Sequence, residues 1–429
     1  MDTHAAQAMI RFGLGRRGAE PRPSDPAAWL RGQLTVADPG PPGPSLADGF
    51  AAVLQDRNDK APPGTPRKVG TLFKSEIDAL VSHAVATTTP FRERLVWFWA
   101  NHFTISLRGG RTAAIGGDYL RTAIRPNVTG RFGDMLLAVM RHPAMLTYLD
   151  NAQSFGPASP AGQRRDKGLN ENLARESLEL HTVSPAAGYT QADVTSYARI
   201  LTGWSIANGD PEPAGFRFRP QMHEPGEQTV LGHSFPAGED GGVAALAFLA
   251  NHPATHRHLA TKLVQHFVSD DAPAADIRRI EGVLRDTRGD LGQAAATLVT
   301  LASAWRPLTK LRSPQDYVLA ALRVADLPEG NRPDGAAIMR GLGQPVFGAP
   351  FPIGWADRAS DWAGPEAMMR RLDWSYGFSG RAAALDPAAI ADASLGPLLT
   401  PATATAIARA GSRRDGLTLL FTSPEFQRR

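Results

Sequence analysis

The sequence predicts a mainly α fold, one large multi-helix domain with a small β-hairpin insertion. Segment after segment repeats apolar residues at a spacing of three to four, the period of a helix with one buried face. Strand-type alternation is rare. Composition does not shift along the chain and no fixed-length repeat interrupts it, so one family of packed helices over residues 1–429 is the simplest organisation.

Taken in order, "PAAWLRGQL", "FKSEIDALVSHAVAT", "PFRERLVWFWANHFTIS", "GDYLRTAIR" and "RFGDMLLAVMRHPAMLTYL" carry the helical period in the first third. The glycines of "RFGLGRRG" follow an apparent helix, so they predict a terminating turn and not a nucleotide loop. "GLNENLARESLELHT", "QADVTSYARILTGW", "GVAALAFLANH" and "PATHRHLATKLVQHFVS" continue the pattern, followed by "DIRRIEGVLRDT", "LGQAAATLVTLASA", "PQDYVLAALRVA" and "RDGLTLLFTSPEF". Thr89–Pro90 and Ser313–Pro314 place a capping residue before proline at the first helical position. "FRFRP" at 216–220 and "QTVLG" at 228–232 are the best strands, and the polar loop between them predicts a hairpin over 216–232. Pro/Gly-rich surface loops are expected near 38–66 and 156–168.

Composition excludes several functions. A hydrophobic share of 42% and a charged share of 21% describe an ordinary globular protein. A net charge of +4 over 429 residues, with basic and acidic residues interleaved, argues against a nucleic-acid surface. The runs "GQRRDKG" and "EFQRR" are read as a solvated loop and tail. With no cysteine there are no disulfides, zinc–thiolate sites, iron–sulfur clusters or thiol nucleophiles. A metal would have to sit on His, Asp and Glu. No apolar run reaches the length of a membrane span, and "MDTHAAQAMIRFGLGRRGAE" lacks the pattern of a secretory signal. The expected location from the sequence as written is cytoplasmic.

Candidate chemistry concentrates in a few stretches. Projected at about 100° per residue, Leu169, Leu173 and Leu180 share a stripe, with Asn172, Glu176 and Glu179 beside it. Glu176 lies nearest the leucines and is expected to face inward, where a carboxylate needs an arginine, a metal or a proton. Glu171 and Arg175 fall on the far side in the order that supports an exposed helix. In "LVWFWANHFTIS", His102 shares a face with Leu95, Phe98 and Trp99. Aromatic burial would keep its imidazole neutral, ready either to fill the core or to act as ligand or base. His223 and Glu224 sit in the hairpin loop, where binding residues are common. His142 and His252 precede proline and are expected to cap helices; His256, His258 and His266 are read as helix-terminal or surface positions. "PIGWADRASDW" alternates aromatic and acidic residues, and Trp355 and Asp357 there suit a cleft for a polar substrate. Nucleophile elbows, phosphate loops and H-E-x-x-H helices are missing.

Ten stretches, among them "AMIRFGLGRRG", "RERLVWFWANHFTIS", "NENLARESLELHTV", "HEPGEQTVLG", "HPATHRHLATKLVQHFVSDD" and "LGQPVFGAPFPIGWAD", resemble the bacterial family called domain of unknown function 1800, in family order over nearly the whole length. The resemblance implies one family unit and brings no established reaction. Relatives are often exported. They are also frequently encoded beside a second family, domain of unknown function 1501, which resembles alkaline-phosphatase and sulfatase folds. This chain has Ala100 where many relatives carry a further histidine, and Glu224 where aspartate is usual.

Two functions follow as expectations. The first is a metal-dependent or acid/base enzyme, hydrolase-like, acting on a polar substrate. His102, Glu176 and Glu179 would be catalytic, with His223 joining them around a divalent metal (Zn, Mn or Fe). Asn101, Asn172, Glu224, Trp355 and Asp357 would contact substrate. The second is a non-catalytic helical partner or scaffold for a phosphatase- or sulfatase-like protein.

Overall fold

The helix Pro90–His102 is buried on nearly every side, which marks it as the axis of the core. Trp99 and Phe103 pack with Phe132, and Phe98 with Phe267, which also meets Phe12 and Phe91. Three consecutive charged residues on this helix are buried too, and each has a partner. Arg92 Nη1 donates to Thr129 Oγ1 at 3.0 Å. Glu93 accepts two bonds from Arg125, at 2.6 and 3.1 Å. Arg94 Nε donates to the Gly13 carbonyl at 2.7 Å.

In this computed structural model, residues 3–59, 62, 65–106, 110–165, 168–209 and 211–429 are described. The helices fall where the spacing puts them, including Lys68–Ala86, Gln191–Leu201, Pro253–Phe267 and Pro314–Ala325. Their starts are chemically explicit. Ser45 with Asp48, and Thr190 with Asp193, form capping boxes. His142 and His252 each accept, through Nδ1, the backbone N–H two residues on, before helices that open on proline. The turn after residue 12 holds Gly15 at φ +90°, and the first helical stretch stops there.

Several expectations are corrected. The strands predicted at 216–220 and 228–232 do not pair with each other. Glu212–Phe218 instead pairs antiparallel with Trp204–Gly209, a segment whose start was read as helix. Gln228–Val230 pairs with His233–Phe235. In the second hairpin, Leu231 and Gly232 take φ 49° and 74°, the doubly positive pattern of a two-residue turn. Each strand thus closes onto its nearest neighbour in sequence, which costs less loop entropy than a longer connection. Within 38–66, Leu46–Asn58 is a helix, and within 156–168, Pro160–Arg165 is another. Residues 60, 61, 63, 64, 166 and 167 of those stretches lie outside the described residues. Pro365–Arg381, Pro387–Leu395 and Pro401–Ala408 are further helices that the spacing did not mark. The segment read as a solvated tail is docked: Phe426 and Arg429 are buried, and Arg429 N donates to the Lys310 carbonyl at 2.8 Å. Buried apolar residues from Ala8 to Phe426 form one cluster.

Candidate functional site

The helices Pro90–His102 and Pro253–Phe267 meet the start of Pro314–Ala325 and the 344–357 loop around a small cleft, about 60 Å³. Trp97, Asn101, His266, Gln344, Trp355 and Asp357 are in its wall. A neighbouring hollow of about 30 Å³ shares Trp97, Asn101, Gln315 and Trp355. Trp97 and Asn101 stand one turn apart on the same helix face. Asn101 holds the opposite wall by both ends of its amide: Nδ2 donates to the Trp355 carbonyl at 2.9 Å, and Oδ1 accepts from the Trp355 N–H at 2.7 Å. Gly354 makes that approach possible. Its φ is +83°, and a Cβ there would lie 2.4 Å from the Asn101 backbone oxygen.

Charge enters from several elements. His266 Nδ1 lies 3.1 Å from Asp357 Oδ1. A carboxylate only accepts, so Nδ1 carries the proton and Nε2 is the basic nitrogen. That Nε2 is buried without a hydrogen-bond partner. Arg429 reaches Asp357 at 2.9 Å and Asp316 at 2.7 Å, and Arg94 meets Asp316 at 3.0 Å. Lys310 pairs with Asp270 and donates to the Asp357 carbonyl at 2.8 Å. Burial lowers the His266 pKa to about 4 despite the neighbouring Asp357, so the imidazole is neutral at neutral pH. Burial pushes the Asp357 carboxyl up, but His266, Arg429 and Lys310 together outweigh it and hold it below the usual range. Asp316 is likewise lowered, to about 2, as Arg94 and Arg429 overcome its burial. A larger hollow of about 390 Å³ runs beside Lys74, Asp78 and Asp334. Those three are exposed on the surface, so it holds none of the desolvated titratable groups that characterise the smaller cleft.

The predicted residues are distributed over several places. Asn101, Trp355 and Asp357 come together in the cleft. His102 is buried one turn from it, with Nε2 donating to the His181 carbonyl at 3.1 Å. Burial, then Lys262, His181 and His258, press its pKa well below the histidine range. His258 Nε2 donates in the same way to the Leu180 carbonyl at 3.0 Å. Both histidines therefore cap the end of the wide turn Ser177–His181.

The helix containing Glu176 begins only at Asn172. Its buried face runs through Leu173, Ala174, Ser177, Leu178 and His181, about a quarter turn from the leucine stripe that predicted it. The displacement arises because Leu169 precedes the helix and Leu180 is only half-buried. Glu176 and Glu179 are half-buried and Asn172 is exposed. Burial and then the charge of Glu179 raise the Tyr189 pKa, against Arg175. Burial and then the charge of Glu179 raise the Glu176 pKa, against Arg175. Glu171 and Arg175 pair at 2.8 Å on the wet side.

His223 spends both nitrogens on the fold, with Nδ1 donating to the Thr202 carbonyl at 2.8 Å and Nε2 accepting from Gly238 N–H at 2.7 Å. Glu224 accepts from Ala158 N–H at 2.8 Å. His266, expected from sequence only as a helix-terminal or surface position, does stand near a helix end but lines the cleft. The available signal was the i, i+4, i+8 line of His258, Lys262 and His266 on one helix face.

A family model described as "Protein of unknown function (DUF1800)" matches residues 7–428. The chain belongs to the DUF1800 family. No curated protein and no solved structure matches it. In this DUF1800 chain, among the described residues, His102, Glu176, Glu179 and His223, the metal ligands expected from sequence, do not gather around one point. Among the described residues, the trio whose ligand atoms lie within 4.8 Å of one another is Asp38, His83 and Glu93. There His83 Nε2 stands 3.2 Å from Asp38 and 3.5 Å from Glu93, and Arg125 lies against both acids. Although burial lowers the His83 pKa, the two carboxylates reverse that and raise it to about 9. Two cations thus meet two anions, and the group is explained as a buried ion network. Among the described residues, no helix of this DUF1800 protein is long and apolar enough to cross a membrane.

Proposed function

We propose that this protein is an acid/base enzyme of hydrolytic type, acting on a polar substrate held between Trp97 and Trp355. The supporting observation is the His266–Asp357 pair in the wall of the cleft, with the imidazole neutral and its Nε2 unpartnered. Asp357 orients the ring and stabilises the imidazolium that forms. His266 Nε2 takes a proton from water, and the water oxygen bonds to the electrophilic centre of the substrate. The bond to the leaving group then breaks, and His266 returns the proton to it. The flat indoles and the planar side chains of Gln315 and Gln344 suit a hydroxyl-rich ligand.

The test is a panel of chromogenic esters, glycosides and phosphoesters, run on wild type, His266→Ala and the double variant Glu176→Gln/Glu179→Gln. Turnover should fall about 10²-fold or more in His266→Ala. It should rise with pH through about 4 in the wild type, as His266 loses its proton. Loss in the glutamate double variant alone would transfer the chemistry to Glu176 and Glu179, the pair with one raised pKa. A chelator arm separates the metal-dependent form, which would lose activity and regain it with Zn, Mn or Fe.

A second reading, a partner of a phosphatase- or sulfatase-like protein, draws on an apolar stripe. Met369, Leu372 and Tyr376 are 55%, 40% and 48% exposed along Pro365–Arg381, with Arg414 stacked over the tyrosine ring, an exposed apolar surface of the kind that marks contact sites. Co-purification at native expression levels, with and without Met369→Lys, distinguishes it.

A further inference from the structure

Lys262 is a half-buried cation that the fold does not pair. Among the described residues it makes no hydrogen bond and no ion pair. Around the cleft, Asp270, Asp316 and Asp357 meet Lys310, Arg94 and Arg429 one for one, and Lys262 is left over. Arg312, stacked on Phe426, adds to the positive side. Burial lowers the Lys262 pKa to about 8, and Asp357 opposes this. A half-buried ammonium with no counter-charge paired to it can take one from a bound anion.

Its neighbours are nitrogen groups. The charge of Lys262 is felt by His102, His181 and His258, each of which is also kept neutral by burial. His102 and His258 use Nε2 on the backbone carbonyls of His181 and Leu180, and so fix the turn that carries His181. The His181 ring is 1% exposed, and neither of its nitrogens has a partner. A buried imidazole with both its N–H and its lone pair unmet is costly to keep, and a bound polar group would relieve that cost. Lys262 also stands four residues before His266 on the same helix, about 6 Å along its axis. A group bound there lies next to the proposed reacting position.

We propose that Lys262, with His181 and His258 beside it, forms an oxyanion-binding subsite one helical turn from His266 of the cleft wall, so that the substrate is anionic. This rests on the cleft being the substrate site, and its test needs no turnover. Glucuronate, inorganic phosphate and neutral glucose are titrated calorimetrically into wild type, Lys262→Met, Lys262→Arg and His266→Ala. The wild type should bind glucuronate, phosphate or both, and not glucose at equal concentration. Glucuronate alone would assign a carboxylate, and phosphate alone a phosphoryl group. Lys262→Met should weaken binding about tenfold or more while its melting temperature holds or rises, because an unpaired charge has gone. Lys262→Arg should keep most of the affinity. His266→Ala keeps Lys262 and should still bind the anion while losing turnover, so failed hydrolysis and failed anion binding are distinguishable. Absence of binding by either anion, equal binding of glucose, or undiminished binding by Lys262→Met overturns the subsite.

Discussion

Glu93 is wholly buried and is held by Arg125 at two distances of 2.6 and 3.1 Å, with His83 as a weaker third contact. Removing the arginine strands a charge, whereas removing both partners leaves only a packing problem. Arg125→Met should therefore cost about 3–5 kcal/mol in urea unfolding, and Glu93→Leu/Arg125→Met should recover much of that loss. A double variant no more stable than the single one would mean that the arginine acts through packing alone. The same logic explains which site residues sequence could identify. Trp355 and Asp357 stand out because aromatic and acidic residues alternate in a proline-led loop. His266 does not, since its partner is 91 residues away, and a histidine near the end of a helix has a bland explanation. Glu176 stood out for a partly misplaced reason. The leucines that oriented its helix include Leu169, which the helix does not contain.

At the scale of elements, periodicity identifies a helix only when its apolar residues are the buried ones. Pro365–Arg381 departs from that rule. Met369, Leu372 and Tyr376 are exposed, while Arg371, Ser375 and Ser379 face inward beside Phe378. Arg371 Nη1 and Nη2 donate to Gln427 and the Arg312 carbonyl, each at 2.8 Å. These bonds come from segments distant in sequence, so no local pattern announces them. The strands were misjudged for a related reason: alternation locates a strand but does not choose its partner, which short positive-φ turns decide. The Asn101–Gly354–Trp355 joint is the element-level feature on which the cleft depends. Gly354→Ala forces a side chain into left-handed backbone and against the Asn101 oxygen. It should cost about 1–3 kcal/mol and raise amide exchange across 345–362, while exchange in the distant 204–218 hairpin stays unchanged. Uniformly faster exchange would indicate general loosening and remove the joint from this role.

For the molecule as a whole, its histidines set opposing pH responses. Burial lowers His181 to about 3 and His258 and His266 to about 4, from 6.5. Below pH 6.5 the unfolded chain takes up protons that these folded side chains refuse, so stability falls as pH drops from 6.5 towards 4. Each tenfold in proton affinity is worth about 1.4 kcal/mol, so the three together outweigh most single contacts. Asp316 contributes only lower, since its pKa moves from 3.8 to about 2. His83 acts in the opposite direction. Its folded pKa is about 9, so its contribution is complete below 6.5 and is lost as pH rises through 9. Lys262, lowered from 10.5 to about 8, partly offsets that loss from pH 8 upwards. Urea midpoints should therefore peak near pH 6.5 and decline on both sides. His83→Gln should lower the peak and flatten the alkaline limb, leaving the acid limb intact. His181→Gln should flatten the acid limb only. A wild-type profile level from pH 4.5 to 6.5 would mean that these imidazoles are solvated enough to protonate in place, and the neutral base required of His266 would lose its physical support.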